Sequence, residues 1–139
     1  MNIYFSCSIT GGRSDQDVYA WIVRYLQEKG HEVPTAHLSR VEVMAEEGVV
    51  EPVDVYHRDV GWVRGCDAVV AEVSTPSHGV GYEIALALTM NKPVICCYRK
   101  GRTVSKMILG NSHSHITVAE YEGMDELMNV LENFLAHLN

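Results

Sequence analysis

Nowhere in the 139 residues does an apolar run approach the roughly eighteen needed to cross a bilayer, so no membrane partner is expected. Basic residues are also scarce. Eleven Lys and Arg stand against 18 Asp and Glu, for a formal net charge of −7, and they form no stripe that could neutralise a phosphate backbone. A polymeric nucleic-acid partner is therefore not expected. A small anionic substrate stays open, because backbone N–H groups and hydroxyls in one pocket can hold a phosphate inside an acidic protein. The four cysteines, Cys7, Cys66, Cys96 and Cys97, lack CxxC or finger spacing, which argues against a zinc site and a disulfide framework. The opening MNIYFSCSITGG has no basic n-region and reads as a strand rather than a signal peptide. A reducing cytoplasm is the compartment these features fit.

What is present is ordinary for a globular chain: 47 % of residues are hydrophobic and 21 % charged, enough for one continuous core over residues 1–139. Strand and helix signals alternate throughout. Ile3 to Ser6 predicts a first strand, ending in the Gly11-Gly12 turn. Ser14 is a candidate N-cap for a helix carrying Val18, Trp21, Ile22, Tyr25 and Leu26 to a stop at Gly30. A second strand is expected over His31 to Pro34. Ser39 and Glu42 form a capping-box pattern for a helix ending near Gly48, and a further helix is predicted over Val53 to Arg64. The run Ala68 to Val73 reads as a central strand buried on both faces. After the loop STPSHG come a helix over Val80 to Met90, a strand over Pro93 to Tyr98 and a short turn or helix around Val104 to Leu109. A last strand spans Ile116 to Ala119, and leucines and methionines from Met124 to Leu138 recur at helical spacing. The expectation is a single-domain, flavodoxin-like or Rossmann-like α/β fold, with five parallel strands and helices on both faces. If the first and third strands are neighbours, a crevice opens at their carboxyl ends, lined by SITGGR and STPSHGVGYE.

The loop Ser8 to Arg13 lacks both the Walker ending and GxGxxG spacing, so it reads equally as a phosphate-approaching loop or a plain turn. TPSHGVGYE is more specific. It sets a hydroxyl and glycines at a strand-to-helix junction whose free N–H groups attract an anion, which makes Ser77 and Gly79 phosphate-binding candidates. Glu83 lies about one turn into that helix and can turn toward the same crevice, though a solvated helix glutamate would look the same. In HRDVGWV, Asp59 has apolar neighbours that can raise its pKa and make it a proton donor. An exposed charge or an ion pair with Arg58 is the plain alternative, and spacing does not separate Asp59 from Asp54, Asp67 or Glu72. His113 and His115 have no third ligand nearby, so no metal is expected. His37 follows the second strand and could reach the crevice.

Taken together, IYFSCSITGGR (3–13), PTAHL (34–38), HRDVGWVRGCDAVVAEVSTPSHGVGYE (57–83) and SKMILG (105–110) resemble the 2′-deoxynucleoside 5′-phosphate N-hydrolases, a branch of the nucleoside deoxyribosyltransferase-like family. The resemblance covers nearly the whole chain. It implies hydrolysis of the N-glycosidic bond of a (deoxy)nucleoside 5′-monophosphate without a cofactor. Glu83 would attack C1′, Asp59 would assist departure of the base, and Tyr4 would orient the nucleophile. It further implies that Ser77 and Gly79 bind the 5′-phosphate and that Cys7, Ser8, Ile9, Thr10, Gly11, Gly12, Arg13 and His37 line the base and sugar end. In the same way, Ser105, with Met107 beside it, would reach the neighbouring subunit's site in a homodimer. Thr10 stands where the family often has arginine, and Cys7 where it often has glycine. A deoxyribosyltransferase would share Glu83 but needs no phosphate pocket. A non-catalytic nucleotide sensor would explain the loops but not Tyr4, Asp59 and Glu83 together. A phospho-receiver domain would need acidic residues where Ser6-Cys7-Ser8 stand.

Overall fold

The computed structural model describes residues 1–9 and 14–138. Four strands, β1 (Ile3–Ser6), β2 (Ala68–Glu72), β3 (Val94–Arg99) and β4 (Ile116–Tyr121), form one parallel sheet in the order β1-β2-β3-β4. β1 and β2 are buried at every position, as parallel strands covered on both faces must be. Their neighbouring, parallel arrangement, with Ser6 paired to Ala71, opens the expected crevice at their carboxyl ends.

Strand alternation divides the core. Ile3, Phe5, Val70 and Ile95 pack with Val18, Ile22 and Leu26 of α1 (Gln16–Glu28) and with Leu127 and Leu131 of α6 (Met124–Ala136). Tyr4, Val69, Ala71 and Cys96 face the other way. They meet Val63 of α3 (Pro52–Gly65) and Val80, Ile84, Ala87 and Leu88 of α4 (His78–Thr89). Helices therefore cover both faces. Among the described residues, no helix is long and apolar enough to cross a membrane.

Three local expectations are corrected. Among the described residues the sheet has four strands, not five, because His31–Pro34 contributes a single bridge between Asn2 and Glu32. Pro34 has no N–H to continue a ladder, and the Thr35 hydroxyl accepts the next free donor of β1, the Phe5 N–H, at 3.0 Å. Ser39 is not a helix cap. Its hydroxyl donates to the Ala36 carbonyl at 2.7 Å within a short 3-10 helix (Ala36–Ser39), and α2 (Val43–Glu47) starts from Glu42 without a side-chain cap. At α1, Asp15 rather than Ser14 holds the N-cap position.

Asp15 serves a longer-range purpose. Its carboxylate is 1 % exposed, accepts from Thr75 Oγ1 at 3.1 Å and from Arg102 at 2.9 Å, and pairs with Arg99 at 3.4 Å. The start of α1, the β2–α4 loop and the segment after β3 are thereby tied together. By contrast, α4 and α5 (Lys106–Leu109) begin locally: Ser77 accepts from Val80 N–H and Ser105 from Met107 N–H. Asp15→Ala removes the shared acceptor and is expected to destabilise the protein by about 2–4 kcal/mol. Urea denaturation monitored by far-UV circular dichroism measures it, and a loss below about 0.5 kcal/mol would mean the three segments hold without the carboxylate.

Candidate active site

β1 reaches the site with alternating side chains on the α4 side of the sheet, Tyr4 and then Ser6. The Ser6 hydroxyl donates to Glu83 Oε2. Glu83 lies in the second turn of α4, whose start is set by the Ser77 cap. Strand alternation and helix phase therefore bring a hydroxyl and a carboxylate 77 residues apart in sequence into contact. The Tyr4 phenol is fully buried beside the same carboxylate. It lies close enough to influence the carboxylate's proton without closing a well-aligned hydrogen bond. Burial, and then the negative charges of Glu83 and Asp59, push the phenol's own pKa far up, so Tyr4 keeps its proton and has an O–H to offer the carboxylate.

Glu83 and Asp59 line one groove of about 440 Å³ between α3 and α4, together with Gly79, Tyr82 and Glu47. Burial dominates the Glu83 carboxyl and pushes its pKa up to about 7; the Asp59 charge adds to the rise, while Ser6, Tyr4 and Arg58 oppose it. Asp59 is also raised, chiefly by burial, with Arg58 pulling the other way. The Asp59 charge thus opposes ionisation of Glu83, while Arg58 favours the ionised form of both carboxyls.

Arg58 makes the ion pair with Asp59 that the sequence offered as the plain alternative, and it also bridges to Glu47. Its Nε donates to Asp59 Oδ1 at 2.8 Å, and its two terminal nitrogens each donate to Glu47 at 2.9 Å. His37 Nε2 lies 3.0 Å from Glu47 Oε1, and the guanidinium stacks 4.9 Å from the Trp62 ring centroid. His37 thus touches Glu47, which lines the groove, and is not itself among the lining residues.

The remaining candidates separate. Ser77, Ser105 and Met107 line a second cavity, of about 670 Å³, on the α5 side of α4, whereas Gly79 lines the groove of Glu83. Cys7 is buried in the α1-side core with its thiol toward the Leu38 carbonyl, so its side chain faces away from the crevice. Ser8 is buried, and Ile9 packs partly against the same core. Thr10, Gly11, Gly12 and Arg13 lie outside the described residues. Among the described residues, no group of three or more His, Cys, Asp or Glu is placed to hold a metal ion.

Three participants were not anticipated. Ser6 was readable from period-two alternation with Tyr4. Glu47 carried no such signal, because its contact with Arg58 depends on how α2 returns over α3. Arg58 had appeared only as a partner that would neutralise Asp59, not as a bridge.

Residues 3–130 match the family described as nucleoside 2-deoxyribosyltransferase. The chain belongs to this family. It is 40 % identical over 142 residues to a Danio rerio protein named 5-hydroxymethyl-dUMP N-hydrolase, covering 99 % of this chain and 98 % of that one. It is 39 % identical over 118 residues, 85 % of this chain and 97 % of the other, to a Methanococcoides burtonii protein provisionally named 2′-deoxynucleoside 5′-phosphate N-hydrolase 1. Among solved structures, a Clostridium botulinum CMP N-glycosidase superposes with a TM-score of 0.73 over 96 % of this chain and 99 % of its own, at 20 % identity. That last likeness concerns the fold.

In this family member the Glu83 carboxyl, followed by carboxyl ¹³C NMR, should titrate near pH 7. Ser6→Ala removes a hydrogen bond that favours the ionised form, so the midpoint should move upward by about one pH unit. A midpoint in the ordinary range for glutamate, or one indifferent to Ser6, would show that the carboxylate is not held as described.

Proposed function

We propose that the protein hydrolyses the N-glycosidic bond of (deoxy)nucleoside 5′-monophosphates, releasing free base and (deoxy)ribose 5-phosphate through a covalent glycosyl-Glu83 intermediate. The observation that carries this reading is Glu83 itself. It is a desolvated carboxylate held by Ser6, with Tyr4 beside it and a second raised carboxylate, Asp59, in the same groove. N-hydrolase names among the full-length relatives support hydrolysis over transfer to a second base.

The reaction needs Asp59 protonated and Glu83 ionised. Glu83 then attacks C1′ as the bond to the base breaks, and its negative charge stabilises the oxocarbenium-like transition state in a site with little competing water. Asp59 gives its proton to the departing base. Now ionised, it takes a proton from the water that attacks C1′, which breaks the ester bond to Glu83 and returns the pair to its starting state. Ser77 and Gly79 at the start of α4 are the proposed phosphate ligands, and binding energy from the phosphate would hold the sugar against Glu83.

The same reading includes a homodimer in which Ser105 reaches the partner's phosphate site. Exposed apolar side chains favour an interface on this side: Met107 is 84 % exposed, Leu109 47 %, and Tyr56 and Tyr82 form an exposed ring pair. Ser105 also shares a cavity wall with Ser77 of its own chain, so a contribution in cis is the competing geometry. The four free, buried cysteines fit a reducing cytoplasm.

Release of free base from a panel of nucleoside monophosphates tests the activity. Glu83→Gln should lower kcat on the order of 10³-fold or more while leaving nucleotide binding largely intact; near-normal turnover would remove Glu83 from the chemistry. Asp59→Asn should slow poor leaving bases by about 10²-fold or more and activated leaving groups much less. A nucleoside should be a far poorer substrate than its monophosphate, and comparable kcat/KM values for the two would favour the transferase. Mixing Glu83→Gln with Ser105→Ala chains should restore activity if sites are shared, because one site of each mixed dimer then carries neither lesion. No recovery after demonstrated subunit exchange would place Ser105 in its own chain's site.

A further inference from the structure

Arg58 is positioned to control Asp59, and what it can do depends on Glu47. A guanidinium free to use its two-pronged edge binds a carboxylate through both oxygens, which fixes that carboxylate as an anion. Here that edge is occupied. Both terminal nitrogens of Arg58 lie 2.9 Å from Glu47, one on each oxygen, and only Nε reaches Asp59, at Oδ1. The arrangement is partly buried, with side-chain exposures of 25 % for Arg58, 13 % for Glu47 and 17 % for Asp59. The Trp62 ring packs against the guanidinium and His37 against Glu47, so neither partner of the pair is left to swing freely. Among the described residues no hydrogen bond engages Asp59 Oδ2, and Asp59 lines the groove that holds Glu83.

We propose that Glu47 is a positioning residue for Asp59: by holding both terminal nitrogens of Arg58 it leaves the Asp59 carboxyl a single donor and keeps Oδ2 free for a substrate atom. The inference rests on the proposed role of Asp59 as proton donor. It assigns to α2 a part in the chemistry that its sequence does not announce. Arg58 then keeps Asp59 aimed without claiming it as a permanent anion, and Glu47 keeps Arg58 from completing that claim. The charged and titratable groups facing Asp59 are Arg58 on its own helix, Glu47 from α2 and His37 from the 3-10 helix, with Glu83 from α4 and Tyr4 from β1 across the groove. Of these, Arg58 is the fixed cation, and its allegiance is decided by Glu47.

The test uses the full-length protein and two readouts, carboxyl ¹³C NMR titration of Asp59 and the pH profile of kcat/KM for a substrate with a poor leaving base. In Glu47→Gln, Arg58 is free to take both oxygens of Asp59, so the Asp59 midpoint should fall by about one pH unit. kcat/KM should fall about tenfold with it, because a smaller share of Asp59 then carries the proton at the working pH. Adding Arg58→Gln should reverse the shift, a recovery that mere loss of packing at Glu47 would not give. Arg58→Gln alone should raise the midpoint above that of the parent, which keeps the test open should Glu47→Gln fail to fold. An unmoved Asp59 midpoint in Glu47→Gln, or a fall that Arg58→Gln does not reverse, overturns the proposal. If the midpoint moves as expected while kcat/KM does not follow, Glu47 is upheld as the residue that places Asp59, and Asp59 is removed as the proton donor.

Discussion

A carboxylate can be taken out of water only where something replaces the lost hydration, and the contact between Ser6 and Glu83 is where this protein does so. The hydroxyl comes from the last residue of β1 and the carboxylate from the second turn of α4, so the bond depends on β1 lying next to β2 and on the Ser77 cap setting the phase of α4. The compensation is incomplete. Burial still pushes Glu83 up to about 7 against the opposing pull of Ser6, Tyr4 and Arg58. Incomplete compensation costs stability but leaves an anion under-solvated, which is the condition that makes it useful beside developing positive charge.

A second buried carboxylate shows what fuller compensation looks like. Glu72, at the end of β2, is completely buried on the opposite face and accepts from the Ser74 hydroxyl, the Ser74 N–H and the Tyr121 hydroxyl. With those donors committed, it braces the end of the sheet. Ser74 also accepts the Arg99 N–H at 2.8 Å, and Arg99 pairs with Asp15. The polar chain therefore runs from Glu72 to the loops that lead into α1 and α4. Rigid loops are needed there, because Thr75, which Asp15 holds, stands two residues before Ser77.

Much of this was legible in the chain. The apolar run of β2, the alternation of Tyr4 and Ser6, and the Ser77–Glu83 interval follow from local periodicity and cap chemistry, and all are found where periodicity puts them. What failed was local reasoning about residues whose partners are distant. Ser39 has cap-like spacing but its hydroxyl is taken by Ala36; Ser14 precedes a helix whose N-cap position is held by Asp15; Pro34 and Thr35 cut the expected edge strand to one bridge. Glu47 is the clearest case. A short helix with two adjacent glutamates gives no sign that one of them will grip an arginine eleven residues on.

The same asymmetry bears on what separates hydrolysis from transfer. In the proposed mechanism, once Glu83 carries the sugar and Asp59 has lost its proton, either water or a second base could use that carboxylate, so the proposed catalytic pair would not choose between acceptors. The choice falls to whatever holds the sugar while the base site empties. Anchoring through a phosphate near Ser77 would keep the glycosyl group in register without any contribution from a base, which permits water to enter first. Arg58 and Glu47, as proposed, would act earlier, on the proton that allows the base to leave. In that scheme acceptor choice rests on the start of α4 and leaving-group activation on α3 with α2, so separate substitutions should reach the two.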